Sequence, residues 1–200
     1  MTAAIRARLA SKNAHKLAEL RAALPDWELE LVDGVSFPPE EGESYHDNAL
    51  VKARFGRAAG SDEAHVLGED SGLEVAALGG GPGIHSNRWA GGEDQVDRLL
   101  VALEGVEGEG RSARYVCELV CVSPELAELR GTGTLHGSIA VARRGAEGFG
   151  YDPVFVPDGE RLTVAELGDA WKSRNSHRAR AARALAAALE EQGVLRSVRR

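Results

Sequence analysis

HVLGEDSGLEVAAL, residues 65–78, decides the architecture of this chain. Two apolar runs flank an acidic pair, Glu69-Asp70, and a small-residue pair, Ser71-Gly72. Small residues after an acid favour a turn, so the spacing predicts a strand, a turn around Ser71-Gly72, and a second strand. On the N-terminal side, IRARLAS (5–11) and the alternating WELELV (27–32) read as strands. Between them, NAHKLAELRAAL (13–24) carries Leu17, Leu20 and Leu24 at helical spacing. It opens at Asn13, a favourable N-cap residue, and Pro25 stops it. SYHDNALVKARFGRAAG (44–60) reads as a helix closed by Gly60. On the C-terminal side come a glycine-rich loop (79–92) and a short helix (93–103). Two long, antiparallel strands (113–123 and 128–143) and an Ala-rich helix (175–193) follow, with a solvated basic tail at 196–200. Interleaved helices with short and long strands imply an α/β fold with a mixed sheet.

At 200 residues the chain fits one domain, 1–200, of one or two lobes. Hydrophobic residues make up 43% and charged residues 28%, enough apolar material for a real core. The net charge of −7 provides no global basic field for long nucleic acid. A small phosphorylated ligand answers to local charge and is not excluded by it. Cys117 and Cys121, the only cysteines, match neither a zinc nor a redox motif. In a strand they share one face, which reads as two buried thiols and fits a reducing cytosol. No apolar run is long enough to span a membrane, and Arg6 and Arg8 interrupt any secretory leader. The expectation is a cytoplasmic protein.

Five stretches carry groups able to do chemistry. In SKNAHKLAE (11–19) a strand ends, a polar turn follows and a helix opens at Asn13. That geometry aims free backbone N–H groups and the positive helix end at one spot, which suits a phosphate, and Lys16 can add a charge there. The same residues also describe an ordinary capped helix with a solvated lysine. EDSG (69–72) offers two carboxylates at a strand end, a hard-cation pattern in which Asp70 or Glu69 could act as general base. It is equally a β-turn with solvated acids. EEGESYHDNALVKAR (40–54) crowds Glu40, Glu41 and Glu43 at a helix entry, with Lys52 further along. The helix dipole alone accounts for such acids, and a further metal ligand is the functional reading. WKSRNSHR (171–178) gathers Lys172, His177 and Arg178 at a helix start, where cations are electrostatically disfavoured. Finally GFGYDPVF (148–155) concentrates two Phe and one Tyr, three of the chain's seven such rings, beside two glycines and Asp152. That composition suits a flat slot for a planar ligand. Together these parts describe a nucleotide site more readily than a protein-binding surface.

The motifs, in order and spacing, resemble those of the inosine-triphosphate pyrophosphatase family, which hydrolyses non-standard purine nucleoside triphosphates. They are S-x-N-x-x-K-x-x-E (11–19), E-x-G-x-S-Y-x-x-N-A-x-x-K-A (40–53), D-S-G-L (70–73), G-G-x-P-G-I-x-S-x-R (79–88), G-F-G-Y-D-P-x-F (148–155) and S-H-R (176–178) preceded by Lys172. The resemblance implies an α/β fold whose long mixed sheet, flanked by helices, floors a central cleft between two lobes, and usually a homodimer. It implies that Ser11, Asn13 and Lys16 hold the triphosphate, with Lys12 beside them and Lys52 neutralising phosphate. Glu40 and Asp70 would hold one Mg²⁺ per subunit, with Mn²⁺ a possible substitute, and Asp70 would also accept the proton. Ser71 would contact substrate. Phe149, Gly150, Tyr151 and Asp152 would line the base and sugar pocket, Lys172 would reach phosphate or base, and His177 and Arg178 would read the base. Two positions depart from the pattern. Lys12 stands where a small residue is usual, and Glu69 stands where the first of two Asp is common. A pyrophosphatase for modified pyrimidine nucleotides and a non-catalytic nucleotide-binding module remain as alternatives at this level.

Overall fold

The computed structural model of the protein describes residues 5–60 and 63–192. The basic tail at 196–200 lies outside the described residues. Among the described residues six strands form one mixed sheet: β1 (Ile5–Leu9), β2 (Trp27–Leu31), β3 (His65–Val75), β4 (Ser112–Val122), β5 (Glu128–Ile139) and β6 (Phe155–Pro157), in the order β2-β1-β3-β4-β5-β6. β1 runs parallel to β2, with Ile5 opposite Trp27, and parallel to β3, with Ala7 opposite His65. β5 runs antiparallel to β6, with Ile139 opposite Phe155. β4 and β5 are neighbours joined only by 123–127, where Ser123 N–H donates to the Ala127 carbonyl at 2.9 Å. Strands so tightly connected must run antiparallel, because a parallel pair needs a long crossover. The expected α/β fold with a mixed sheet is therefore met.

Five α-helices accompany the strands among the described residues: α1 (Ala14–Ala23), α2 (Tyr45–Ala58), α3 (Gln95–Ala102), α4 (Val164–Asn175) and α5 (His177–Glu191). Their starts follow the sequence. Asn13 caps α1, Ser44 caps α2 and Asp94 caps α3, each accepting N–H groups of the first turn. Thr163 and Glu166 form a reciprocal capping box on α4.

The chain divides into two compact units. Among the described residues the first comprises 5–60, 63–70, 117–133 and 178–192; the second comprises 71–116 and 134–177. Each has its own core. In the first, Leu9, Leu20, Leu29, Leu67, Leu119, Leu185 and Leu189 are fully or almost fully buried. In the second, Leu73, Leu99, Leu103, Tyr115, Val154 and Phe155 play that part. Burial on this scale, about 1.5–3 kcal/mol per large apolar side chain, is what holds each unit together. Cys117 and Cys121 are free and buried in the first core, as two thiols on one strand face should be.

Two sequence expectations change. The turn at Ser71-Gly72 does not form, and β3 continues unbroken from His65 to Val75. Gly72 serves close approach: a Cβ there would lie 2.1 Å from the Gly83 carbonyl oxygen. The backbone N–H of Leu73 is satisfied by Ser86 Oγ at 2.8 Å, so the strand needs no partner strand at that point. The second difference is α4, which no helical period in the sequence announces. Gly168, at φ 77°, breaks its regular geometry and blurs its periodicity.

Candidate active site

The first group of side chains belongs to the first unit. β1 ends at Leu9, and the turn into α1 is held by side chains. Ser11 Oγ accepts the Asn13 N–H at 3.1 Å, and Asn13 Oδ1 accepts those of His15 and Lys16 at 2.9 and 3.2 Å. Asn13 thus caps the helix, while Lys12 is exposed to solvent. One turn in, Lys16 Nζ lies 2.5 Å from Glu69 Oε2.

Glu69 has no exposed side-chain surface, and its partners explain how an ion survives there. Arg178 Nε and Nη2 donate to Glu69 Oε1 at 3.1 and 2.9 Å, and Arg178 Nη1 donates to Glu19 Oε2 at 2.6 Å. Cys117 Sγ lies 3.5 Å from the same Glu69 oxygen. Burial opposes ionisation of Glu69, but the charges of Lys16, Arg178 and Lys52 outweigh it and hold the carboxyl well below its ordinary range. The structure therefore places Arg178 with carboxylates of the first unit. Removing one member of such a buried set leaves an uncompensated charge, the costly case for ion pairs.

Asp70, next along β3, has different neighbours. Asn48 Nδ2 donates to Asp70 Oδ2 at 3.0 Å, and Lys52 Nζ lies 3.4 Å from Asp70 Oδ1. Lys52 also donates to the Glu69 carbonyl at 2.9 Å and pairs with Glu40 Oε1. Asn48 Oδ1 accepts the Gly42 N–H at 2.9 Å, which fixes the loop after Glu40 to the same side chain. Burial raises the Asp70 pKa; Lys52 and Asn48 pull it down, Glu69 and Glu40 push it up, and the balance is a raised value. Burial disfavours the Lys52 ammonium, yet Asp70, Glu69 and Glu40 together raise its pKa and keep it charged. A carboxylate with a raised pKa and a fixed orientation is suited to accept a proton.

Could these residues hold a divalent cation? Glu40 and Asp70 both reach Lys52 Nζ, so two hard oxygen donors already converge on one positive centre. In this group four carboxylates (Glu19, Glu40, Glu69, Asp70) face three cations (Lys16, Lys52, Arg178). The excess is negative, and the donor set fits Mg²⁺, which takes one or two carboxylates and fills its shell with water and phosphate oxygens. Among the described residues no cluster of three or more His, Cys, Asp or Glu could hold a metal by itself.

The second group belongs to the second unit. Gly148, at φ +79°, starts a tight turn whose Phe149 N–H donates to Asp152 Oδ2 at 2.8 Å. A Cβ at Gly148 would lie 2.2 Å from that oxygen, so the turn needs glycine. Lys172 Nζ, on α4, reaches Asp152 Oδ2 at 2.7 Å and stands 4.8 Å from the centre of the Phe149 ring. Gly150 follows at φ 64°. Tyr151 is buried and donates to the Ser86 carbonyl at 3.0 Å; burial lifts its phenol to about 12. His177 stacks on Tyr115, the rings 4.5 Å apart and 9° from parallel. Ser71, half-buried in β3, belongs to this unit, so two of the breaks between the units fall between Asp70 and Ser71 and between His177 and Arg178.

Three contributors escaped the sequence reading. Asn48 and Glu19 stood as fixed letters of the motifs at 40–53 and 11–19, without a role. A buried asparagine one turn before a buried lysine on the same helix was the available signal. Tyr115 stands between Arg114 and Val116 in a long strand, is no letter of any motif, and gave none.

Comparison with known proteins agrees with the resemblance. A sequence model of the Ham1 family matches residues 7–188. A dITP/XTP pyrophosphatase from Methylococcus capsulatus is 44% identical over 191 residues, covering 90% of this chain and 94% of that protein. One from Nocardia farcinica is 43% identical over 193 residues, covering 90% and 93%. Among solved structures, a HAM1 protein from Coxiella burnetii superposes with a TM-score of 0.80 at 34% identity, covering 94% of this chain and 99% of that one. On these matches the chain belongs to the Ham1 family.

Proposed function

We propose that this protein hydrolyses non-standard purine nucleoside triphosphates, namely ITP, dITP and XTP, to the monophosphate and pyrophosphate, and so cleanses the nucleotide pool. The observation that carries the reading is the buried Asp70 carboxylate, oriented by Asn48 and Lys52 beside Glu40. The dITP/XTP pyrophosphatase names of its relatives support the substrate class.

In this reading Asp70 accepts the proton of a water that attacks the α-phosphorus. The bond from that phosphorus to the bridging oxygen breaks, and its electron pair leaves with pyrophosphate. Lys16 and Lys52 offset the charge of the leaving group, so positioning and electrostatics carry most of the acceleration. Glu40 and Asp70 would hold Mg²⁺, with Mn²⁺ as substitute; when bound, the ion supplies charge neutralisation at the phosphate oxygens. Ser11, Lys12 and Asn13 face the triphosphate side and Ser71 contacts substrate. Phe149 and Gly150 offer the purine a flat surface, and the buried Tyr151 follows them in the chain. Asp152, Lys172 and His177 supply the polar contacts to base and sugar. Adenine carries an amino donor where hypoxanthine carries the O6 acceptor, so donors aimed there reward one and clash with the other. The working form is read as a cytoplasmic homodimer that binds no long nucleic acid. No helix among the described residues is long and apolar enough to cross a membrane.

The test is a pyrophosphate-release panel of inosine, xanthosine, guanosine, adenosine and pyrimidine triphosphates, run with Mg²⁺ and with a chelator. ITP and XTP should exceed ATP by about 10³-fold or more in kcat/KM, and chelation should abolish turnover until Mg²⁺ returns. A preference for pyrimidines, or binding without turnover, would replace this reading.

A further inference from the structure

We propose that Tyr115 is a positioning residue for base selection: it sets the plane of the His177 imidazole and steadies the Asp152 carboxylate. The proposal rests on the reading that His177 and Asp152 contact the base. Tyr115 lies in β4 and is 7% exposed. One ring serves three neighbours. His177 stacks on it nearly parallel at 4.5 Å, Phe155 packs against it at 4.5 Å and 41°, and its hydroxyl lies 3.4 Å from Asp152 Oδ1. Asp152 Oδ2 is meanwhile held by Phe149 N–H and Lys172 Nζ.

The physical need for such a ring is specific. The second side-chain torsion of histidine is broad, so an imidazole without a stacking partner sweeps a range of planes. A hydrogen bond to a base edge weakens steeply with misalignment. Stacking on a residue of the sheet, backed by a second ring from β6, removes that freedom. His177 opens α5 directly after Ser176, whose extended backbone at ψ 157° separates α4 from α5. At that helix start Tyr115 offers the imidazole a flat, nearly parallel surface against which its plane is held.

The experiment compares Tyr115→Leu, which keeps an apolar side chain but no ring, with Tyr115→Phe, which keeps the stack and loses the hydroxyl. Kinetics on ITP and ATP are read beside the His177 ring-proton resonances in the NMR spectrum. Those resonances are assigned by their loss in His177→Gln. In the wild type they should be displaced by the tyrosine ring current. Tyr115→Leu should bring them to ordinary positions and lower the ITP/ATP ratio of kcat/KM by about five- to tenfold, as aromatic pair energies imply, through a higher KM for ITP. Tyr115→Phe should keep the displaced resonances and lower the ratio by only about two- to threefold, the share carried by the hydroxyl on Asp152 Oδ1. If Tyr115→Leu does not fold, Tyr115→Met carries the same test. An unchanged ratio, or an equal fall for ITP and ATP, overturns the proposal and leaves Tyr115 a core residue. A wild type that does not distinguish ITP from ATP overturns the underlying reading instead, even where the resonances show the stack.

Discussion

Set side by side, the two groups of polar residues use different physics. In the first unit, Lys16, Lys52 and Arg178 are interleaved with Glu19, Glu40, Glu69 and Asp70, and each ion touches a charge of opposite sign. In the group from the second unit, the ion pair of Lys172 with Asp152 is set among rings: Phe149, Tyr151, Tyr115 and His177. A lattice of buried charges answers to total charge and is indifferent to the shape of a base. Rings and directed hydrogen bonds discriminate planar shapes and edges. Rate and selectivity should therefore separate under mutation, with changes in the first unit felt by every triphosphate and changes in the second felt by some.

Arg178 puts that separation under the most strain, because in sequence it adjoins His177. Arg178→Ala strands Glu69 and Glu19, and loss of one partner from a buried pair costs about 3–5 kcal/mol. Urea unfolding should show that loss, and the residual enzyme should keep its ITP/ATP ratio. A selective loss of ITP would move Arg178 to the base-reading set and break the comparison. Next in size is Asp70→Asn, which should lower kcat about 10²-fold for ITP and ATP alike while circular dichroism stays unchanged. Near-normal turnover would remove Asp70 from the chemistry. Phe149→Ala should instead raise the KM for ITP about tenfold with kcat little altered, since stacking of a base on an aromatic ring is worth about 1–3 kcal/mol. A fall confined to kcat would place Phe149 elsewhere in the reaction.

The smallest effect is one of pH, and it too divides the units. Glu69 has a depressed pKa when folded, so its stabilisation is present above its ordinary value of 4.5 and is lost as pH falls below it. Tyr151 is raised from 10.0 to about 12, so its contribution is complete below pH 10 and is lost as pH climbs toward 12. Unfolding free energies across pH should show Glu69→Gln flattening only the acid limb and Tyr151→Phe only the alkaline limb. An acid limb that Glu69→Gln leaves unchanged would mean that the carboxylate gains nothing from its three cations.

Much of this was legible in the sequence, for reasons that can be named. Helix starts are local chemistry, so Asn13 and Ser44 announced α1 and α2. The strand alternation of WELELV shows in its burial, inward and outward in turn. β3 was misread because a strand covered on both faces loses its alternation, and a glycine kept for close packing looks the same in sequence as a glycine kept for a turn. α4 was missed because one residue at positive φ breaks the helical period. In the candidate site, motif letters marked the residues that carry charge but could not say what faces what. That Arg178 meets Glu69 and Glu19 depends on contacts 109 and 159 positions apart in sequence. That Tyr115 meets His177 depends on the sheet.

The two cysteines have a practical consequence for anyone who labels this molecule. Both are buried, and burial lifts Cys121 to about 12 and Cys117 well above the ordinary thiol value. Reagents attack the thiolate, and here almost none exists or is reachable at neutral pH. The native protein is thus a blank background for maleimide or spin-label chemistry. A single cysteine introduced at an exposed site such as Val101 or Leu126 would take the probe alone, with neither native thiol removed and the core of the first unit left as it is.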